Sequence, residues 1–537
     1  MPRLTGAQAV IASLHAHGVD TIFGIPGVHT LPIYDAMLDE PGVRHVLARH
    51  EQGAGFMADG YARASGKPGV VCTITGPGVT NVATPVASAY ADSIPLLVIA
   101  TGLPRSSTGR QRGDLHELKD QPGVMEALAG WARAVECVDG IPEALRDAFR
   151  RMHNGRPRAA YLHIPLDLLQ IDAEIDILAP AHETPAPPSA ADIAAVIRLL
   201  RDARRPLIVA GAGVTAAAAN LQLARLAELL DAPVLLGAKS HDALPNDHPL
   251  ALVTSSFGLP REIRTLVSDS DVVLVVGSKL GALRTGNGRL VFPSTLVQVD
   301  IDPAEIGRNY PVAVGVAADA RLVLDALLDA LQDLPRDRPS RAGEIALART
   351  AINGHVHRVF GESIAMLDAV REGLPREGII VADMTMLGYA SAEYLPVYEP
   401  RTYIHSIELC AIGCGLPMAI GAKVAAPQRP VVALCGDGGF LLNLGELAAA
   451  VQEKIDVVAI VFNDATYTAV KLDQYQDFNR RYIATDLLAP DYVALARAFG
   501  VTGIKATSPD ELREAIRSAI HRSGSTLIEV LLPPKQW

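Results

Sequence analysis

The stretch Val431–Asp464, VVALCGDGGFLLNLGELAAAVQEKIDVVAIVFND, narrows the fold more than any other part of this chain. Val431–Cys435 is an apolar, β-branched run, broken by Gly436-Asp437-Gly438-Gly439. Leu444 to Lys454 has helical spacing, with Leu444, Leu447, Ala448 and Val451 on one face. Val457–Phe462 is a second apolar run and ends at Asn463-Asp464. Strand, glycine-rich turn, helix, strand is the repeating unit of a parallel sheet. It sets the C-terminal ends of both strands side by side, so Asp437 and Asp464, 27 residues apart, should meet there. A carboxylate pair flanked by glycine amides suits a hard cation holding a polyphosphate: carboxylate oxygens for Mg²⁺, backbone N–H groups for phosphate oxygens. The plainer alternative is a βαβ unit with a tight turn and no ligand.

Such a unit has to be embedded in more sheet, and the chain has the means. Its 537 residues allow roughly three domains of about 150 residues each. Ala, Val, Leu and Gly dominate while aromatics are 5%, as in proteins with buried parallel strands. The formal net charge of −11 argues against a nucleic-acid or anionic-membrane surface. The five cysteines (72, 137, 410, 414, 435) show no CxxC spacing and are expected to be small buried residues in a reducing compartment. The N-terminal helix face, Ala7, Val10, Ile11 and Leu14, is interrupted by His15, His17 and Asp20, unlike a signal peptide. No uninterrupted apolar run reaches membrane-spanning length, and the expected location is the cytoplasm.

Alternating helix and strand patterns predict an α/β protein of three doubly wound parallel-sheet domains, at 1–178, 190–335 and 345–537. A Pro-rich segment, residues 179–189, and a polar one, residues 332–341, act as linkers. In the central domain, Gly211-Ala212-Gly213 follows a strand and could cradle a dinucleotide phosphate. With Ala216 at the third motif position it is read as a structural turn, and FAD is kept as the lesser alternative. The first and third domains share one alternating pattern.

Three further strings carry chemistry. The first is Arg49-His50-Glu51-Gln52-Gly53-Ala54-Gly55-Phe56-Met57-Ala58-Asp59-Gly60-Tyr61-Ala62-Arg63, which puts Glu51 at a strand end before a small, apolar helix start. Taken alone, such a Glu is more often a helix cap. The second is Gly76-Pro77-Gly78 with Thr80 and Asn81, and the third is Cys410-Ala411-Ile412-Gly413-Cys414-Gly415. Together with GDGG and Asp464 they resemble the thiamine diphosphate enzymes of the acetolactate synthase and 2-oxo acid decarboxylase superfamily, over nearly the whole chain. The first 100 residues look most like the 5-guanidino-2-oxopentanoate decarboxylase subgroup.

That resemblance implies a set of roles. Glu51 would bond N1′ of the cofactor's pyrimidine and drive the tautomer whose 4′-amino group removes the C2 proton. A carboxyl works best there in an apolar setting, where it can share its proton. Gly76, Pro77 and Asn81 would form the pyrimidine-side loop. Ile412 would wedge under the thiazolium, with its amide and the Cys410 carbonyl on the pyrimidine edge; the family usually has Gly where this chain has Cys410. Asp383 and Thr385 would lie at the diphosphate, with Gly436, Gly438, Gly439, Thr466 and Tyr467 around it. Asp437, Asp464 and the Thr466 carbonyl would ligate Mg²⁺, Asp464 replacing the usual Asn.

For the substrate, pyruvate decarboxylases carry acids where this chain has Val28 and Val470, which leaves a pocket poor in proton donors. His29 and His116 are the candidate catalytic donors; His116 lies where acetolactate synthases and pyruvate oxidases carry an active-site Gln. Judged alone, each histidine is more often structural. The reading is thiamine diphosphate- and Mg²⁺-dependent decarboxylation of a small-molecule 2-oxo acid through an enamine. The alternatives are an acetolactate synthase-like carboligase and a catalytically silent cofactor-binding paralogue. The family's active sites lie between subunits, so a homodimer or homotetramer is expected.

Overall fold

The computed structural model describes residues 2–181, 183–254, 259–334 and 338–533, so that residue 182 of the first linker and residues 335–337 of the second lie outside it. Each of three regions builds a six-stranded, all-parallel sheet flanked by helices. The N-terminal sheet runs, edge to edge, Arg44–Leu47, Thr21–Gly24, Gly69–Thr73, Leu96–Gly102, Ala159–Pro165, Ala132–Ala134. The C-terminal sheet runs Tyr403–His405, Ile379–Ala382, Val431–Gly436, Val458–Asn463, Thr526–Leu531, Thr502–Ala506. Numbered along the chain, both follow the order 2-1-3-4-6-5. The central sheet runs Ala251–Val253, Val234–Leu236, Pro206–Ala210, Val272–Val276, Leu296–Asp300, Val314–Ala317, the order 3-2-1-4-5-6.

These orders locate the binding crevices. In an open parallel sheet the connections leave in opposite directions from the two strands where the order reverses, and a cleft opens beyond their C-terminal ends. In the N-terminal sheet those strands are Thr21–Gly24 and Gly69–Thr73, in the C-terminal sheet Ile379–Ala382 and Val431–Gly436, and in the central sheet Pro206–Ala210 and Val272–Val276. The strand ends singled out in the sequence, before Gly76, Asp383, Asp437 and Gly211, are therefore the ones that border clefts.

The domains share cores. One buried apolar cluster joins the N- and C-terminal domains through Phe56, Met57, Met418, Ile420 and Phe440, and another joins the central and C-terminal domains. The helix Glu51–Ser65 crosses the helix Gly415–Ala425 at backbone contact: a methyl on Gly60 would lie 2.1 Å from the Met418 carbonyl oxygen, and one on Gly421 1.8 Å from that of Met57. Buried charges add a second tie. Arg63, paired with Asp92 (2.8 Å) and Asp59 of its own domain, donates to the His405 carbonyl of the C-terminal domain (3.4 Å), and Lys239 and Lys279 of the central domain reach Glu408 at 2.6 and 2.7 Å.

Two expectations change. The helix expected at Leu444–Lys454 is Glu446–Glu453, but the glycine-rich turn before it opens a further helix, Asp437–Leu442, which ends at Asn443, whose amide donates to the Gly413 carbonyl (2.7 Å). The second helix buries Glu446, Leu447, Ala449 and Ala450, and Val451 is exposed. All five cysteines are unpaired, but only Cys72, Cys414 and Cys435 are buried, whereas Cys137 and Cys410 are exposed. Among the described residues no helix is long and apolar enough to cross a membrane.

Candidate active site

The first half of the site grows from the N-terminal sheet. His50 is extended (φ −146°, ψ 144°) and caps the following helix, its Nδ1 accepting from the Gln52 amide at 3.1 Å. Glu51 is thus the first helical residue, 9% exposed, and its Oε2 accepts from Asn81 Nδ2 at 2.9 Å. Gly78 lies under the same carboxyl, since a methyl there would come 3.4 Å from Glu51 Oε1 and 2.1 Å from Thr73 Oγ1. Pro77 opens the short helix Pro77–Asn81 that delivers the Asn81 amide. Gly76 (φ +71°) holds a conformation suited to glycine, and its amide donates to Gln121 Oε1 at 2.9 Å. Any side chain on Gly76 would strike the His116 carbonyl at 2.5 Å, so His116 is packed directly on this loop. His29 and His116 face each other edge to face, ring centroids 5.6 Å apart, and each keeps a buried Nδ1 without a partner. Burial, with His116 as a second cause, holds the His29 pKa below its usual value. The structure therefore unites Glu51, Gly76, Pro77, Asn81, His29 and His116 at one cleft, with Val28 58% exposed beside His29.

The second half grows from the C-terminal sheet. Asp437 begins its helix, and Oδ1 accepts from the Gly438 amide at 2.7 Å while Oδ2 is buried without a partner. Burial, and then the neighbouring Asp464, push its pKa up to about 6, against the amides of Gly438, Ala465 and Thr466. Two close, partly desolvated carboxylates are what a divalent cation relieves. Asp464 also accepts from the Thr468 hydroxyl. Asn463 is turned away, its Nδ2 donating to Glu529 Oε1 at 2.8 Å. Thr466 Oγ1 donates to the Thr485 carbonyl at 2.8 Å, and its own carbonyl accepts from the Thr468 amide at 2.9 Å. The Tyr467 ring lies on Gly438, where a methyl would meet it at 2.3 Å, and Thr385 faces Gly436 across the two strand ends, 3.1 Å from a methyl built there. Among the described residues no three His, Cys, Asp or Glu side chains converge on one point. Two carboxylates and a carbonyl fit an octahedral Mg²⁺ that takes its remaining oxygens from a diphosphate and water.

The loop between the halves is held by Asp383. Its buried carboxylate accepts from the amides of Met384 (2.7 Å), Gly413 (3.0 Å) and Gly415 (3.1 Å), and burial raises its pKa against those bonds. Asp383, expected at the diphosphate, has its carboxylate spent on the Ile412 segment instead. Ile412 rests on Gly439, 3.1 Å from a methyl built there, and so stands over the glycine-rich turn. Cys410 adopts a left-handed φ of +53°, the conformation that glycine holds without strain, and its thiol donates to the Ile407 carbonyl at 2.7 Å.

Two buried residues of the site escaped the sequence reading. Gln121 clamps Gly76 and donates through Nε2 to the Thr101 carbonyl (3.0 Å) and the Tyr161 hydroxyl (2.7 Å). Glu446 touches the Glu51 helix from the C-terminal domain. The only sequence signal was a polar residue at the edge of an apolar helix face.

A cleft carrying a buried Glu and a turn carrying paired carboxylates fit a thiamine diphosphate enzyme, and the chain belongs to that family. Its residues 4–124 match the N-terminal binding domain of thiamine pyrophosphate enzymes, 193–327 their central domain and 383–530 their C-terminal binding domain. The probable 2-ketoarginine decarboxylase AruI of Pseudomonas aeruginosa is 39% identical over 98% of this chain and 94% of its own length. The probable acetolactate synthase large subunit of Methanocaldococcus jannaschii is 33% identical over 99% and 93%, and the acetolactate synthase isozyme 3 large subunit of Escherichia coli 30% over 97% and 93%.

Proposed function

We propose that this thiamine diphosphate enzyme is a decarboxylase of a 2-oxo acid with a basic, guanidino-type side chain, and not an acetolactate-forming carboligase. The observation that carries the choice is the His29–His116 pair beside Gly76, which offers imidazole donors next to the exposed Val28. The 39% relative named for 2-ketoarginine supports the side chain. The bound cofactor supplies the electron sink that lets CO₂ leave. The protein's part is to share a proton through Glu51, hold the diphosphate on Gly436, Gly438 and Gly439 through Mg²⁺ on Asp437, Asp464 and the Thr466 carbonyl, and return a proton to the substrate carbon. Prompt protonation gives an aldehyde, whereas a dry pocket without donors leaves time for a second carbonyl.

The assay offers pyruvate, branched and guanidino 2-oxo acids separately and identifies products by mass spectrometry. The guanidino acid gives CO₂ and aldehyde fastest, and pyruvate turning over rapidly to 2-acetolactate would replace this reading by the carboligase. His116→Ala slows aldehyde release by about 10²-fold and leaves first-turnover CO₂ loss largely intact; equal loss in both steps would remove His116 from that role. Release of no CO₂ from any 2-oxo acid would favour the silent paralogue.

The remaining expectations are part of the same proposal: a cytoplasmic homodimer or homotetramer, with domains at 1–178, 190–335 and 345–537. FAD gains support. A cavity of about 600 Å³ lies over the reversal point of the central sheet, bordered by Gly211, Gly213 and Gly277. Arg284 lines it with Nε and Nη2 unpartnered, and burial pushes its pKa down to about 10. A buried guanidinium without an acid favours an anionic ligand there. Purified protein titrated with FAD quenches flavin fluorescence, and Arg284→Ala abolishes the effect. No quenching in the wild-type protein would restore the structural-turn reading.

A further inference from the structure

We propose that Glu446, in the C-terminal domain, is a positioning residue for Glu51: it fixes the strand-to-helix junction that aims the Glu51 carboxyl, so that proton sharing by Glu51 depends on how the N- and C-terminal domains dock.

Glu446 is 1% exposed. Its Oε1 accepts from the backbone amides of Arg49 (3.2 Å) and His50 (3.0 Å), and Oε2 accepts from Arg49 at 3.1 Å. These are the last two residues before Glu51, and His50 is where the chain turns from strand to helix. With no strand partner of their own at this junction, the two amides are free donors at the start of a helix, where a carboxylate is also favoured by the helix dipole. Gly53 is what admits the carboxylate, since a methyl there would fall 2.1 Å from Glu446 Oε1.

The rest of the Glu446–Glu453 helix grips the same strand. Glu453 Oε1 accepts from the Leu47 amide at 3.3 Å, the Glu453 carbonyl accepts from Arg44 at 3.2 Å, and Arg49 Nη2 donates to Gln452 Oε1 at 2.6 Å. Residues 44–50 are thus bound along their length by one helix of the other domain, and that helix follows the Asp437–Leu442 helix after three residues. The charged and titratable groups facing Glu446 are Arg49, His50 and Glu51. Burial, ahead of these bonds, pushes the Glu446 pKa up to about 7, with Glu51 opposing its charge and Arg49 favouring it. An ionised Glu446 therefore costs stability as pH rises from the ordinary carboxylate range through about 7.

The test uses the holoenzyme with Glu446→Ala, Glu446→Gln and Gly53→Ala, the last displacing the carboxylate without removing it. Three quantities are read: exchange of the bound cofactor's C2 proton with D₂O, the kcat and KM for the 2-oxo acid, and, in cofactor-free protein, amide exchange in the peptide spanning residues 44–56. In Glu446→Ala and Gly53→Ala, C2 exchange and kcat fall together, by about 10- to 100-fold, as for a misaimed catalytic group, with KM within about twofold. The junction amides exchange faster in both. Glu446→Gln keeps an acceptor oxygen and recovers to within about threefold of wild type. Wild-type C2 exchange in Gly53→Ala, or in a folded Glu446→Ala that has lost only thermal stability, overturns the proposal. It rests on the Glu51 assignment, and Glu51→Gln separates the two. Slow exchange in Glu51→Gln beside normal exchange in Glu446→Ala removes the Glu446 role alone, whereas normal exchange in Glu51→Gln removes both.

Discussion

Glu51→Gln loses about 10²- to 10⁴-fold in turnover while still binding thiamine diphosphate, the range typical of a positioned acid–base group. The substitution keeps the length of the side chain, its place as first residue of the helix, and an oxygen that can accept from Asn81 Nδ2, which now bonds Glu51 Oε2 at 2.9 Å. What it removes is a proton that can be shared. Steady-state decarboxylation together with isothermal titration of the cofactor checks both halves of the expectation. Turnover within about threefold of wild type would reject Glu51 as the relay, and loss of cofactor binding would recast it as an anchor.

Asp437→Ala abolishes Mg²⁺-dependent binding of the cofactor. Losing only a hydrogen-bond partner of a metal ligand costs roughly 10- to 100-fold in metal affinity, so removal of a direct ligand costs at least that. Asp437 also accepts from the Gly438 amide, so the variant frees the glycine turn that faces the diphosphate. Asp464→Asn, by contrast, is tolerated: it keeps a side-chain oxygen and removes a charge that adds to burial in raising the Asp437 pKa. Titration of each variant with thiamine diphosphate, with and without Mg²⁺, decides the matter. Binding of Asp437→Ala within about threefold of wild type would remove Asp437 from the metal site, and loss in Asn463→Ala alone would shift the ligand by one residue.

How far the sequence reached differs by kind of information. Asp437 and Asp464 were legible because two successive strands and one turn determine their meeting, with no need of the rest of the fold. That Asn463 donates to Glu529 of the neighbouring strand is a tertiary fact with no local signal. Glu51 and Asn81 were found as members of strings, and their mutual hydrogen bond is a tertiary fact. Asp383 was found, but the strand-end position did not reveal that two amides of a loop thirty residues on bond its carboxylate. Glu446 was invisible for the opposite reason: apolar periodicity put Val451 inside and a carboxylate outside, and packing against Arg49 and His50 reversed both. In the central domain, Gly211-Ala212-Gly213 reads weakly as a motif, and its weight comes from the strand order 3-2-1-4-5-6, which no local pattern encodes.

The central claim is that Glu51 of one chain serves a cofactor held by Asp437 of another. Co-expression of Glu51→Gln and Asp437→Ala chains, with purification of the mixed dimer through two different tags, tests it most directly. Each homodimer is defective, but a mixed dimer places both substitutions in one site and leaves the other intact, so it regains roughly half of wild-type turnover. Turnover no higher than that of the two parent homodimers would contradict a shared site and confine the cofactor to a single chain.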